Sequence, residues 1–255
     1  MKNLSIVSLV LCVVLMASCK KENAVVPVNP VQPSFKKMIK MESSYSNGTT
    51  EFNINNYDEQ ARIISYESTN DITTFDYSTP NKVLATRKER ATQKTNLLYE
   101  CDLNDKGLVQ KVAIKYPDGK PLGEYRYIYN NAGYVVIQEG DFITYNFKNE
   151  YEIVDGNIIS SKKYDNNVLS STTNYTIDKT VNNTFGWRSG AYWSSALFGK
   201  ELKNVTSESI TTNTSGNITW HVKNSFVSNA QGNITGLNRN YPLTGFWEKT
   251  IVSYQ

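Results

Sequence analysis

One pattern recurs along most of the chain and constrains its fold more than any other feature. It consists of an alternating, aromatic-rich segment, a short turn rich in Asn, Asp and Gly, and a β-branched segment. The clearest turns stand at residues 104–107, 130–133 and 229–232, with weaker copies at 58–61 and 155–156. Asn, Asp and Gly accept the positive φ angles of tight hairpin turns at low cost. Each unit is therefore predicted to be a β-hairpin.

The segments beside these turns alternate as half-buried strands do. Tyr125, Tyr127 and Tyr129 share one predicted face, and Arg126 and Ile128 share the other. The turn glycines at 107, 133 and 156 are 26 and 23 residues apart, which indicates a period near 25. Because an isolated hairpin is marginal in water, consecutive hairpins should pair edge to edge. We predict an all-β fold, a curled antiparallel meander of β-hairpin repeats, and leave open whether it closes into a barrel.

Tyrosine content refines this expectation. All 17 tyrosines lie after residue 44, and a ring with a hydroxyl suits a strand face that is neither fully buried nor fully wet. We therefore expect a Tyr-lined inner face rather than a tight two-sheet sandwich. One short helix or loop insertion is predicted at residues 190–202, where Trp193, Leu197 and Glu201 recur at helical spacing.

The first residues predict export. Lys2 precedes an apolar stretch of 13 residues at 4–16, which matches a signal peptide and is shorter than the roughly 20 residues of a membrane-spanning helix. Residues 15–19 resemble a bacterial lipobox, in which Cys19 would receive a diacylglyceryl group, although Met16 and Ser18 depart from the commonest pattern. The alternative is an ordinary secretory leader with a coincidental cysteine.

A tether follows the predicted lipidation site. Pro27, Pro30 and Pro33 recur every three residues, the period of a polyproline II helix, which could reach on the order of 45 Å. The expected organisation is a lipoprotein signal peptide at 1–18, a lipidated Pro-rich tether at 19–35 and a single β-hairpin-repeat domain at 36–255. This arrangement predicts a lipid-anchored protein of the outer membrane, on its periplasmic face or on the cell surface.

Composition excludes several classes of function. Without the leader the chain has 26 basic and 24 acidic residues and no run of like charge, so no nucleic-acid partner is expected. The single histidine, His221, cannot form a zinc site that needs two imidazoles. Cys101 is interpreted as buried packing rather than as a nucleophile, and His221 as a plain strand residue. We expect no catalytic residues, no metal and no cofactor.

The recurring aromatic–turn–Gly–aliphatic pattern resembles the hairpin repeats of uncharacterised lipoproteins from Bacteroidota. It is similar, more distantly, to the YD repeats of large secreted wrapping proteins. Residues 175–185 and 202–205 look like a segment of the same lipoproteins, in which a loop and short helix interrupt the meander. The resemblance covers about residues 52–255. It implies a curled, porin-like sheet in a domain of unknown function, and it implies no catalytic residues.

Function is predicted only as a class. The first hypothesis is a ligand-binding module, with a glycan as one candidate ligand; the alternatives are a structural or assembly partner at the outer membrane and a carboxylate-based hydrolase. Aromatic residues crowd the region where the repeat is interrupted, so the candidate ligand-binding residues are Trp187, Tyr192, Trp193, Trp220 and Trp247. The opposing interpretation, which we favour, is that Trp193 and Phe198 fill the open end of the sheet as core.

Overall fold

The computed structural model describes residues 38–190 and 196–254. These residues form sixteen β-strands and one 3₁₀ turn, Ala196–Phe198. In chain order the strands are β1 (Met38–Tyr45), β2 (Thr50–Tyr57), β3 (Ile63–Ser68), β4 (Asp71–Asp76), β5 (Lys82–Glu89), β6 (Thr95–Leu103), β7 (Val109–Lys115), β8 (Pro121–Tyr129), β9 (Val135–Phe142), β10 (Asn146–Val154), β11 (Asn157–Asp165), β12 (Val168–Asn182), β13 (Asn204–Asn213), β14 (Ile218–Ser228), β15 (Ile234–Tyr241) and β16 (Phe246–Tyr254).

The strands form one closed antiparallel barrel in which each strand pairs with its neighbours in sequence. The barrel closes where β1 pairs with β16, with Met41 opposite Val252 and Ser43 opposite Thr250. Closure removes the exposed strand edges that an open sheet of this length would leave. The prediction of an all-β hairpin meander is confirmed, and the question of closure is answered in favour of a barrel.

The predicted turns join the predicted strands. At residues 104–107 the Gly107 amide donates to the Asn104 carbonyl at 2.8 Å, and the Asn104 side chain accepts from the Lys106 amide at 2.9 Å. Gly107 has a φ of +71°, which a residue with a Cβ adopts only with strain. The turns at 130–133 and 229–232 repeat this arrangement. Local turn chemistry therefore sets the hairpin spacing.

The inner face of the barrel carries the core. Tyr127 is buried, while Arg126 and Ile128 beside it are exposed. One apolar cluster joins β3 to β9 and includes Tyr99, Cys101 and Val112. A second cluster joins the strands from β13 to β16 and Phe185. The expectation that tyrosines line the inner face is confirmed at 125, 127 and 129.

Between β12 and β13, residues 183–190 and 196–203 pack across one end of the barrel. We call these residues the plug and this end of the barrel the plug end. Ser189 Oγ donates to the Val135 carbonyl at 2.6 Å, and the Lys200 amide donates to the Gly133 carbonyl at 2.8 Å. On the other side Thr184 Oγ1 lies 3.0 Å from the Tyr254 hydroxyl. Phe198 is fully buried and meets Tyr127 edge to face.

The predicted insertion is present, as a loop with one 3₁₀ turn in its described part. Residues 191–195 lie outside the described residues, and in 196–202 the chain makes only the 3₁₀ turn Ala196–Phe198. Gly199 ends this turn with a φ of +84°, and a Cβ there would lie 2.4 Å from the Gly133 carbonyl oxygen. The close approach of the two backbones explains why a glycine occupies position 199.

Candidate ligand-binding lumen

The structure separates the tryptophans that the sequence grouped together. Trp187 belongs to the plug, is half-buried and stacks on Phe185 with ring centres 4.9 Å apart. Trp220 lies on the inner face of β14 at the opposite end of the barrel, which we call the mouth. Trp247 lies on the outer face of β16 and is 45% exposed. Tyr192 and Trp193 fall outside the described residues, so the three described tryptophans form no single cluster.

A cavity of about 430 Å³ lies inside the barrel, within the range of small-molecule sites. Trp187 of the plug contributes to its lining, and the remaining lining residues come from β1 to β6. They are Met38, Met41, Asn53, Asn55, Tyr66, Ser68, Asp71, Thr73, Arg87 and Tyr99. Hydroxyl and amide groups of neutral side chains therefore make up much of this surface.

An ion pair between neighbouring strands lines the cavity. Arg87 of β5 donates to Asp71 of β4, and Asn96 Nδ2 donates to the same carboxylate at 3.2 Å. The hydrogen bond from Arg87 is the main cause that holds the pKa of Asp71 below its ordinary value. Both groups are therefore charged at neutral pH and compensate each other.

Tyr66 supplies a neutral hydroxyl to the same cavity. Its hydroxyl donates to Asn53 Oδ1 at 2.5 Å across β2 and β3. Burial raises the pKa of Tyr66, so the group remains a phenol across the physiological range. Tyr66 and Asn53 thus fix each other's orientation at the cavity wall.

A second polar group lies on the inner face of β1, β15 and β16. Glu248 is only 6% exposed and accepts from Ser43 Oγ at 3.1 Å and Thr250 Oγ1 at 2.9 Å. Its other oxygen accepts from Arg239 at 3.0 Å. Arg239 also lies over the Trp187 ring, 5.7 Å from its centre. This network connects the mouth half of the lumen with the plug.

Aromatic rings form an arc on the inner face at the mouth. Trp220 packs against Tyr241 at 5.1 Å, Tyr241 against Phe246 at 5.4 Å, and Phe246 against Tyr45 at 5.9 Å. The four rings come from β14, β15, β16 and β1, which are adjacent in the barrel. Trp220 is 51% exposed and so offers a ring face to solvent at the mouth.

Sequence reasoning missed most of this lumen. Asp71 and Arg87 lie on the paired strands β4 and β5, whereas Asn53 and Glu248 lie on β2 and β16, and only the register of the barrel brings all four to one inner surface. The local pattern pointed the wrong way in β2, because Phe52 and Ile54 alternate with Asn53 and Asn55, and hydrophobic alternation alone would direct the two asparagines away from the core.

The outer wall of the barrel carries ion pairs. Tyr99 and Cys101 point to the core, so Glu100 between them points outward, where it accepts from Lys82 at 2.5 Å and from Lys115 at 2.8 Å. The outward Glu124 is paired in the same way with Lys111 and Arg126 on β7 and β8. Lys148 and Glu150 pair on β10, and Glu208 meets His221 on β13 and β14. Glu100, Glu124 and Glu150 lie in the middle of their strands.

Two residues considered for catalysis are placed away from the cavity. His221 Nε2 lies 2.8 Å from Glu208 Oε1 on the outer face. Cys101 is fully buried, and burial raises the pKa of its thiol to about 12. Among the described residues, no helix is long and apolar enough to cross a bilayer.

The barrel is similar to two solved structures from Bacteroides species. A porin-like protein from Bacteroides uniformis ATCC 8492 matches at a TM-score of 0.67 and 11% identity, covering 88% of this chain and 99% of its own. A porin-like protein from Bacteroides vulgatus ATCC 8482 matches at 0.63 and 12%, covering 86% and 99%. No protein-family model and no curated protein matches the sequence. At these identities the likeness shows the fold, a porin-like barrel.

Proposed function

We propose that the protein is a lipid-anchored, non-enzymatic module of the outer membrane whose barrel stands in water and binds a small ligand in its lumen. The observation that carries the proposal is the cavity of about 430 Å³, which is lined by Trp187 of the plug and by polar side chains. A cavity with few converging polar groups beside aromatic rings is the usual form of a binding site.

The outer wall supports a barrel outside the bilayer. A barrel that spans a membrane presents an apolar band about 25 Å tall, and a lysine or arginine facing the lipid midplane costs about 2–4 kcal/mol. Here Glu100, Arg126 and Glu150 stand near the middle of outward strand faces. On the described strands the outward apolar residues, such as Ile128 and Ile251, share the outer wall with these charged groups.

The anchor rests on the sequence. Residues 1–37 lie outside the described residues, so lipidation at Cys19 and the tether at 19–35 are supported by the lipobox-like pattern and the proline spacing alone. A durable attachment needs more than one acyl chain, which a bacterial lipoprotein would supply. The tether would then hold the barrel beside the membrane.

Membrane fractionation with Cys19→Ala tests the anchor and the position of the barrel together. We expect the wild-type chain in the outer-membrane fraction and the variant in the aqueous fraction. Cys12→Ala is the matched control, because it changes a cysteine of the apolar stretch and should leave sedimentation unchanged. A Cys19→Ala chain that still resists extraction with alkaline carbonate would contradict a barrel in water.

Lumen binding is tested separately with residues 34–255, which contain all the described strands. Thermal denaturation is followed with separate panels of saccharides, amino acids, nucleotides and fatty acids. Asn53→Trp fills the cavity, whereas Asn56→Trp adds the same bulk to the outer face of the same strand. A ligand of the lumen stabilises the wild type and Asn56→Trp but not Asn53→Trp. Equal stabilisation of all three, or of none, would overturn lumen binding.

A further inference from the structure

The charge of the cavity restricts the ligands that it can receive. Of the described residues that line it, only Asp71 and Arg87 are charged, and they pair with each other. The neighbouring guanidinium of Arg239 is paired with Glu248 in the same way. An anionic ligand would have to break one of these pairs, and a cationic ligand would face the same cost. The lumen therefore favours a ligand without net charge.

The remaining polar groups suit a ligand rich in hydroxyls. Asn53, Asn55, Tyr66, Ser68 and Thr73 present hydroxyls and amides, which both donate and accept hydrogen bonds. A hydroxyl of a ligand also donates and accepts, so it can satisfy either kind of partner.

One buried acceptor beside the ion pair has no partner. Asn96 Nδ2 donates to Asp71, but Asn96 Oδ1 is buried without a hydrogen bond among the described residues. A buried polar atom left without a partner costs free energy. Asn96 is not among the residues that line the cavity, so this acceptor lies outside the proposed binding surface.

Aromatic rings supply the complementary apolar contacts. Trp187 lines the cavity, and the arc of Trp220, Tyr241, Phe246 and Tyr45 lies at the mouth. A ligand with hydroxyls at its edges and C–H groups on its faces would use both kinds of surface. Saccharide rings have this character.

We propose that the lumen binds a neutral saccharide, with C–H groups against Trp187 and Trp220 and hydroxyls on the polar wall between β2 and β5. This inference rests on the proposed function and names the ligand class for the same cavity. It places the site inside the barrel. Of the ligand-binding candidates predicted from the sequence, Trp187 and Trp220 are retained and Trp247 is not.

Titration calorimetry with residues 34–255 tests the proposal. The probes are neutral malto-, cello-, xylo- and manno-oligosaccharides, with galacturonic acid oligomers and sulfated saccharides as charged counterparts. Trp220→Ala removes the inward ring at the mouth, and Trp247→Ala is the matched control that removes an outward ring of similar exposure. We expect a neutral oligosaccharide to bind, about tenfold more weakly in Trp220→Ala and unchanged in Trp247→Ala.

Two conservative variants extend the test to the cavity wall. Tyr66→Phe deletes one hydroxyl and should weaken neutral saccharides by about fivefold to tenfold. Asp71→Asn leaves Arg87 without its counter-charge, so acidic saccharides should gain affinity relative to neutral ones. Circular dichroism confirms that each variant is folded.

The outcomes separate this inference from the proposed function. The saccharide proposal is overturned if the wild type prefers charged saccharides. It is also overturned if Trp220→Ala and Trp247→Ala lose affinity equally. If an amino acid, nucleotide or fatty acid binds instead and Asn53→Trp abolishes that binding, the ligand class is wrong and lumen binding stands. If no compound of any panel binds, both fail.

Discussion

Arg188 donates to Glu201 at 2.6 Å inside the plug, where the Arg188 side chain is only 3% exposed. The same guanidinium donates to the carbonyls of Gly199 at 2.8 Å and Gly186 at 2.7 Å. One buried cation therefore holds both arms of the plug together, and its charge is compensated by a carboxylate that is one third exposed.

Glu201→Gln should lower the free energy of unfolding by about 2 kcal/mol, because it leaves the Arg188 cation buried without a counter-charge. Chemical denaturation measures the change. The double variant Arg188→Met with Glu201→Gln should recover part of the loss, since the buried charge is then gone. Glu208→Gln, which removes the carboxylate of an exposed outer-wall pair, should lower the stability less than Glu201→Gln does. Equal losses of stability in Glu201→Gln and Glu208→Gln would show that the Arg188–Glu201 pair does not hold the plug together.

Gly140→Ala should destabilise the barrel by about 1–3 kcal/mol through steric crowding. A Cβ at Gly140 would lie 2.2 Å from the ring of Phe147, its partner on β10, so the ring would have to leave its place. Gly236→Ala is the matched control, because its nearest contact would be 3.4 Å and its backbone angle needs no glycine. Thermal denaturation should show a clear loss for the first variant and little change for the second.

The hairpins were predictable from the sequence because their causes are local. The turns at 104–107 and 130–133 close through bonds among four consecutive residues, and alternation then fixes which side chains of β8 face inward. Closure of the sheet was left open, since it depends on the pairing of β1 with β16, residues separated by the whole domain.

The lumen could not be predicted in the same way. Ser43 meets Glu248 only because the barrel closes between β1 and β16, and Asp71 meets Arg87 through the register of β4 against β5. No local pattern brings the two pairs to one lumen. The prediction that the tryptophans lie together failed for a related reason. Trp220 and Trp247 are close in sequence to the plug, but alternation points one into the lumen and the other outward.

The outer-wall network around Glu100 should make stability depend on pH. Hydrogen bonds from Lys115 and then Lys82 lower the pKa of Glu100 from 4.5 to about 2 in the folded state. The stabilisation is therefore fully present above about pH 4.5 and is lost as the pH falls towards 2. Glu100→Gln should cost about 0.5–1 kcal/mol at pH 7, and its difference from wild type should shrink as the pH falls through 2 and vanish below it. A difference that is constant between pH 7 and pH 2 would contradict the pairing.

Cys101 should resist thiol reagents as long as the barrel is folded. Its side chain is fully buried in the apolar cluster with Tyr99 and Val112, and burial, followed by the charges of Asp102 and Glu100, raises its pKa to about 12. At pH 8 almost no thiolate exists, and the reagent cannot reach the sulfur. Residues 34–255 contain no other cysteine, so labelling reports this site alone. We expect no modification in the native state and complete modification in denaturant.

Cys101→Ser with Val227→Cys moves the thiol to an exposed outward position and should react at once. Comparable labelling rates in the wild type and in this double variant would show that the barrel opens readily between β5 and β7.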